Sequence, residues 1–110
     1  MAVYEPHAWV IAKIRREDEE PEYRVLAGWY GGYLTGDSWR INSGIVRIVR
    51  EGDFYAFYGE SGSCYRCHKG TYKMSSMTAS AFEMLSKATP GMSVLDERAA
   101  HLELLSKAEL

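Results

Sequence analysis

Near Tyr72 the spacing of apolar side chains changes from every second residue to every third or fourth, and no other feature constrains the fold as strongly. A period of two belongs to strands and one near 3.6 to helices, so the order of the two predicts an α+β protein with its sheet first. Alternation runs through 8–15, where Trp9, Ile11 and Lys13 oppose Val10, Ala12 and Ile14. A charged turn at 16–22 leads into a returning strand at 23–30, and a glycine-rich connection at 31–37 leads on to strands at 38–42, 45–51, 54–58 and 63–68. After Tyr72, the residues Met77, Ala81, Met84, Leu85 and Ala88 share one side of a helix. Ser75 or Ser76 is placed to cap it, and Thr89, Pro90 and Gly91 stop it.

Ser93 and Asp96 have the spacing of a capping-box-like start for a second helix, with Leu95, Ala99, Leu102 and Leu105 on one side. The expected architecture is a single domain over 1–110, with an antiparallel sheet in 1–73 and a helical part in 74–110. The sheet is read as curled, of five or six strands, open or partly closed into a barrel. One or two C-terminal helices cover one face. The terminal leucines need a partner surface on the sheet, on the first helix or across a two-fold axis. Self-association as a homodimer is therefore one expectation, with 93–110 dispensable to the sheet core.

Cys64, Cys67 and His68 stand in the Cys-x-x-Cys-His spacing by which two thiols hold haem and the histidine ligates its iron. Strand alternation argues against it. Residues 64, 66 and 68 fall on one face and 63, 65 and 67 on the other, so the two sulfurs point to opposite sides of a sheet. Covalent haem is attached in an exported compartment, and the start of the chain does not read as an export signal. Zinc needs further ligands, and a redox pair of this spacing opens a helix. No cofactor and no metal is expected, and the thiols read as small buried hydrophobes in a reducing cytoplasm.

Charge is placed unevenly. Residues 1–37 carry four basic and seven acidic side chains, and residues 38–73 carry six basic and three acidic. The middle third is thus the basic part, a mild bias beside the pI above about 9 of a dedicated nucleic-acid domain. No apolar run approaches the roughly 20 residues that span a bilayer, so no membrane partner is expected and a cytoplasmic location is read.

Two-residue loops at Gly52–Asp53 and at Ser61–Gly62 set a register. Arg50 then faces Tyr55, Ile48 faces Phe57, and Val49 faces Ala56, while Phe57 faces Arg66 and Tyr55 faces His68. In that register Ala56 and Cys67 lie on a face with room for a helix. Arg50, Tyr55, Phe57, Arg66 and His68 share the opposite face, which is aromatic and basic together. Such a face can bind nucleic acid or another anionic ligand by stacking. It can equally be a solvated surface where arginine stems cover rings.

Two partial motifs carry less. The frame Gly31 to Ser38 has aspartate where a phosphate loop needs lysine. The frame Gly59 to Ser63 lacks the final glycine of a nucleophile elbow and reads as a hairpin turn. The favoured expectation is a small non-catalytic binding or interaction module acting through the aromatic and basic face, with a protein partner, a second copy or an anionic ligand. The alternative is a small enzyme with His68 as acid or base.

Overall fold

The computed structural model describes residues 1–32 and 36–110. The class is α+β, as the change of period requires, with two sheets in place of one. The strands are β1 (Val3–Tyr4), β2 (Ala8–Ile14), β3 (Glu22–Trp29), β4 (Ser38–Ile41), β5 (Ile45–Glu51), β6 (Phe54–Gly59), β7 (Cys64–His68) and β8 (Met92–Val94). One sheet has the order β1-β7-β6-β5 and the other β4-β3-β2-β8, so neither is a closed barrel. Paired neighbours are antiparallel apart from β1 with β7. The glycine-rich connection at 31–37, with its phosphate-loop-like frame, lies partly outside the described residues.

The core lies between the sheets. Trp9, Ile11, Val25 and Ala27 from β2 and β3 pack with Ile48, Tyr55, Phe57, Tyr65 and Cys67 from β5, β6 and β7. The Trp9 ring meets Phe57 at 5.3 Å and Tyr72 at 4.9 Å between centroids. Its indole N–H donates to the His68 carbonyl at 2.7 Å, across the sheets. The Tyr72 hydroxyl donates to the Leu95 carbonyl at 2.6 Å and accepts from the Ile11 N–H at 3.0 Å. Burial pushes that phenol up to about 12.

Helix α1 (Ser76–Ala88) lies over β3 and β4, on the far side of that sheet from the core. This corrects the expectation that it covers Ala56 and Cys67. Gly28 sets its approach: a Cβ there would stand 2.8 Å from Thr78 Cγ2 and 2.9 Å from Ser75 Oγ. Ser75 is the cap, and it exchanges bonds with Thr78 in a capping box. The contact is made by the first turns, through Thr78 and Ala81, and Met84 further along remains 55% exposed.

The reading of the terminal segment is also corrected. Met92–Val94 forms β8, antiparallel to β2, and Asp96 rather than Ser93 caps α2 (Glu97–Glu103), its carboxylate accepting the Ala99 N–H at 2.8 Å. Leu95, Ala100, Leu104 and Leu105 join the core, leaving Leu102 exposed. Glu109 then runs beside the β5 edge, donating its N–H to Ile48 and accepting from Arg50. The segment has its apolar side filled within the chain, and a two-fold axis is not needed to bury it.

The β5–β6 hairpin has the expected register, with Arg50 opposite Tyr55, Ile48 opposite Phe57 and Val49 opposite Ala56. The β6–β7 hairpin is one residue off. Its loop has three residues, closed by a Gly59 N–H bond to the Ser63 carbonyl at 3.0 Å, with Gly62 at φ 92°. A left-handed residue is what a three-residue hairpin loop calls for at that point. Phe57 therefore faces Tyr65, Ala56 faces Arg66, and Phe54 faces His68.

Phe57→Ala is expected to cost about 3–5 kcal/mol and Phe54→Ala about 1–2 kcal/mol by urea denaturation, and the reverse order would return the register to a two-residue loop. A chain ended at Gly91 loses β8 and three core leucines, and circular dichroism is expected to show no cooperative unfolding of it.

Candidate functional site

The aromatic and basic face divides in two. Tyr55 and Phe57 are core residues, 7% and 0% exposed, so neither is open to a ligand. Arg50 is exposed on β5 opposite Tyr55, on the other face of the sheet from Arg66 and His68. Arg66 and His68 do come together, on the outer face of β7 with Phe54. The Arg66 guanidinium stands 3.8 Å over the Phe54 ring, and His68 meets that ring edge-on at 5.1 Å. Arg66 is also held 3.0 Å from Glu5 and 3.3 Å from Glu51. Its pKa is pushed up, first by the Glu5 bond. Arg47, over the Tyr58 ring, pairs with Glu109 at 2.8 Å. Both guanidinium groups already hold carboxylates. His68 Nδ1 accepts the Gly70 N–H at 2.9 Å, and among the described residues no carboxylate or hydroxyl bonds the ring.

The thiols sit as alternation places them, on opposite faces of β7, and both are buried. Burial raises the Cys64 thiol and, far more, that of Cys67, so neither is a ready thiolate. Among the described residues no cluster of histidine, cysteine and carboxylate is placed to hold a metal ion.

Two hollows, about 520 and 580 Å³, follow the charged turn after β2. They are open and lined by the carboxylates of Glu17, Asp18, Glu19, Glu20, Glu22 and Glu60 together with Arg15 and Arg16, the latter 3.8 Å from Glu22.

A smaller hollow, about 300 Å³, opens at the seam between the sheets, lined by Tyr4, Arg24, Arg40, Ile41, Asn42, Ser43, Ser61, Ser63 and Tyr65. It contains two guanidinium groups and no carboxylate. Alternation along β4 builds its floor. Arg40 is paired with Ala27, a core residue, and so points to the core side with Asn42 two residues on. Asn42 is 2% exposed. Its Oδ1 accepts the Val25 N–H at 2.9 Å and extends the ladder past the end of β4, while its Nδ2 is buried with no partner. Such an orphan donor is uncommon and costly.

The three-residue loop supplies Ser61, Ser63 follows it, and Ser43 comes from the connection between β4 and β5. Ser43 Oγ accepts the Ser61 N–H at 2.9 Å and donates to Ser61 Oγ at 3.1 Å, with Ser63 Oγ 3.4 Å beyond. The Arg40 guanidinium lies 4.5 Å over the Tyr4 ring, which packs on Tyr65 at 5.0 Å. Arg40 has no ion pair with a carboxylate among the described residues. Arg24 is half engaged, 2.9 Å from Glu22 and 3.4 Å from the Asn42 carbonyl. The hollow thus presents positive charge and hydroxyls to one space, with the unused Asn42 amide N–H buried in its wall.

None of these residues except the Ser61 turn was weighed as a motif from the sequence. The available signal was the run Ser38, Arg40, Asn42, polar at each alternate position of a strand whose other positions are Trp39 and Ile41. No family model, curated protein or solved structure matches the chain.

Burial raises the Tyr65 phenol and the Arg40 guanidinium pulls it back. A cation favours phenolate, so Arg40→Gln is expected to move the Tyr65 ionisation to higher pH, read by NMR of ring-labelled tyrosine. An unmoved or lowered value would place Arg40 away from Tyr65.

Proposed function

We propose that this protein is a small binding module that takes an oxyanion-bearing small molecule in the seam between its sheets. The observation that carries the reading is Arg40. Its guanidinium lies over the Tyr4 ring, has no carboxylate partner among the described residues, and shares one hollow with Asn42 and a chain of serine hydroxyls. Anions are held by convergent N–H and O–H donors beside a guanidinium, and charge-assisted bonds are the strong ones. The expected aromatic and basic combination is retained in this reading, with different residues carrying it. The outer face around Arg66 and His68 supports binding less, because its guanidinium groups are neutralised within the chain. The alternative with His68 as acid or base draws no partner from the residues around that ring.

Titration with inorganic phosphate or sulfate, against chloride at equal ionic strength, is expected to shift the Asn42 side-chain amide and the Ser61 backbone amide in NMR spectra. Arg40→Gln is expected to weaken that binding about tenfold or more, and Arg66→Gln to leave it unchanged. Loss of binding in Arg66→Gln alone would move the site to the outer face.

A further inference from the structure

A second hollow, about 230 Å³, adjoins the seam and is lined by Tyr4, Trp29, Ser38, Trp39 and Arg40. Tyr4 and Arg40 belong to both hollows. We infer, on the reading of the seam as an oxyanion site, that the ligand is a nucleoside monophosphate, with its phosphate in the seam and its base beside Tyr4 and Trp29. The two spaces differ in chemistry as the two ends of such a molecule do. The seam offers Arg24, Arg40 and the hydroxyls of Ser43, Ser61 and Ser63. A carboxylate would be satisfied by the Arg40 fork alone, whereas a phosphate monoester has three terminal oxygens and a charge between one and two, and uses the surplus donors.

The adjoining hollow is walled by rings that are already fixed. The Trp29 indole N–H donates to the Glu5 carbonyl at 2.9 Å, and its ring meets Tyr4 edge-on at 6.3 Å. Rings held before binding lose little entropy when a base packs on them, and stacking tolerates any base because each has a π face. Arg40, shared by both spaces, joins the two ends of the ligand: its guanidinium, 4.5 Å from the Tyr4 ring centroid, faces the phosphate.

The test compares inorganic phosphate, ribose 5-phosphate and the four nucleoside monophosphates, titrated into the full chain and followed by calorimetry and by the Trp29 indole N–H resonance. Nucleoside monophosphates are expected to bind about tenfold more tightly than ribose 5-phosphate, and they alone are expected to shift the Trp29 resonance. Trp29→Leu is expected to remove that advantage while ribose 5-phosphate binds as before. The Trp29 resonance of the unaltered chain decides the matter if the variant does not fold. Equal affinities for ribose 5-phosphate and the nucleotides, with no Trp29 shift, would overturn the assignment of a base and leave the oxyanion site standing. Binding of none of the phosphate compounds would overturn the oxyanion site itself.

Discussion

Trp9 ties the two sheets together, and most of the arrangement depends on it. It is 1% exposed, packs on rings from the opposite sheet, and donates its one N–H to the His68 carbonyl at the end of β7. A large buried aromatic contributes several kcal/mol through packing, and a buried indole N–H needs an acceptor. Both requirements are met only when β2 crosses the β6–β7 hairpin in one orientation. The same orientation brings Tyr72 against Trp9, and Tyr72 in turn spans from Ile11 to Leu95. The C-terminal leucines are thereby drawn into the space the sheets leave between them.

Because the sheets pack as separate layers, their edges meet without closing, and a seam remains where β4 passes β1 and β7. A closed barrel would have paired the end of β4 with a neighbouring strand and filled that space. Here Asn42 takes the place of a pairing strand at Val25, through its backbone N–H and its side-chain oxygen, and leaves its side-chain amide N–H without a partner. Polar groups gather at this seam for a simple reason. Most of its lining lies outside the core cluster and beside solvent, so serine and arginine stand there at little desolvation cost.

A single residue in one loop decides which aromatics are inside. With a two-residue loop the β6–β7 pairing would have set His68 and Arg66 beside Tyr55 and Phe57. With three residues, Tyr55 and Phe57 lie with Tyr65 and Cys67 in the core, and Phe54 lies with Arg66 and His68 outside. A shift of one exchanges the faces because side chains alternate with a period of two. The larger burial falls to the second arrangement, which places Tyr55 and Phe57 against Trp9 and Tyr65 in the same core.

Local chemistry in the chain was sufficient for some features. The change of period at Tyr72 established the α+β class, the Gly52–Asp53 turn established the β5–β6 register, and serine spacing narrowed the first helix cap to Ser75 or Ser76. Alternation through Cys64 and Cys67 separated the two thiols onto opposite faces. These are near-neighbour properties, determined by backbone geometry within a few residues. Other features needed the tertiary structure. Met92–Val94 is a strand because β2 has an open edge beside it, although its own residues resemble a helix start. The division into two sheets follows from Trp9 meeting residues some 50 positions away in the chain. The seam hollow joins Tyr4, Arg24, Arg40, Asn42 and Ser61, drawn from separate elements, and their common charge and donors exist only once those elements are packed.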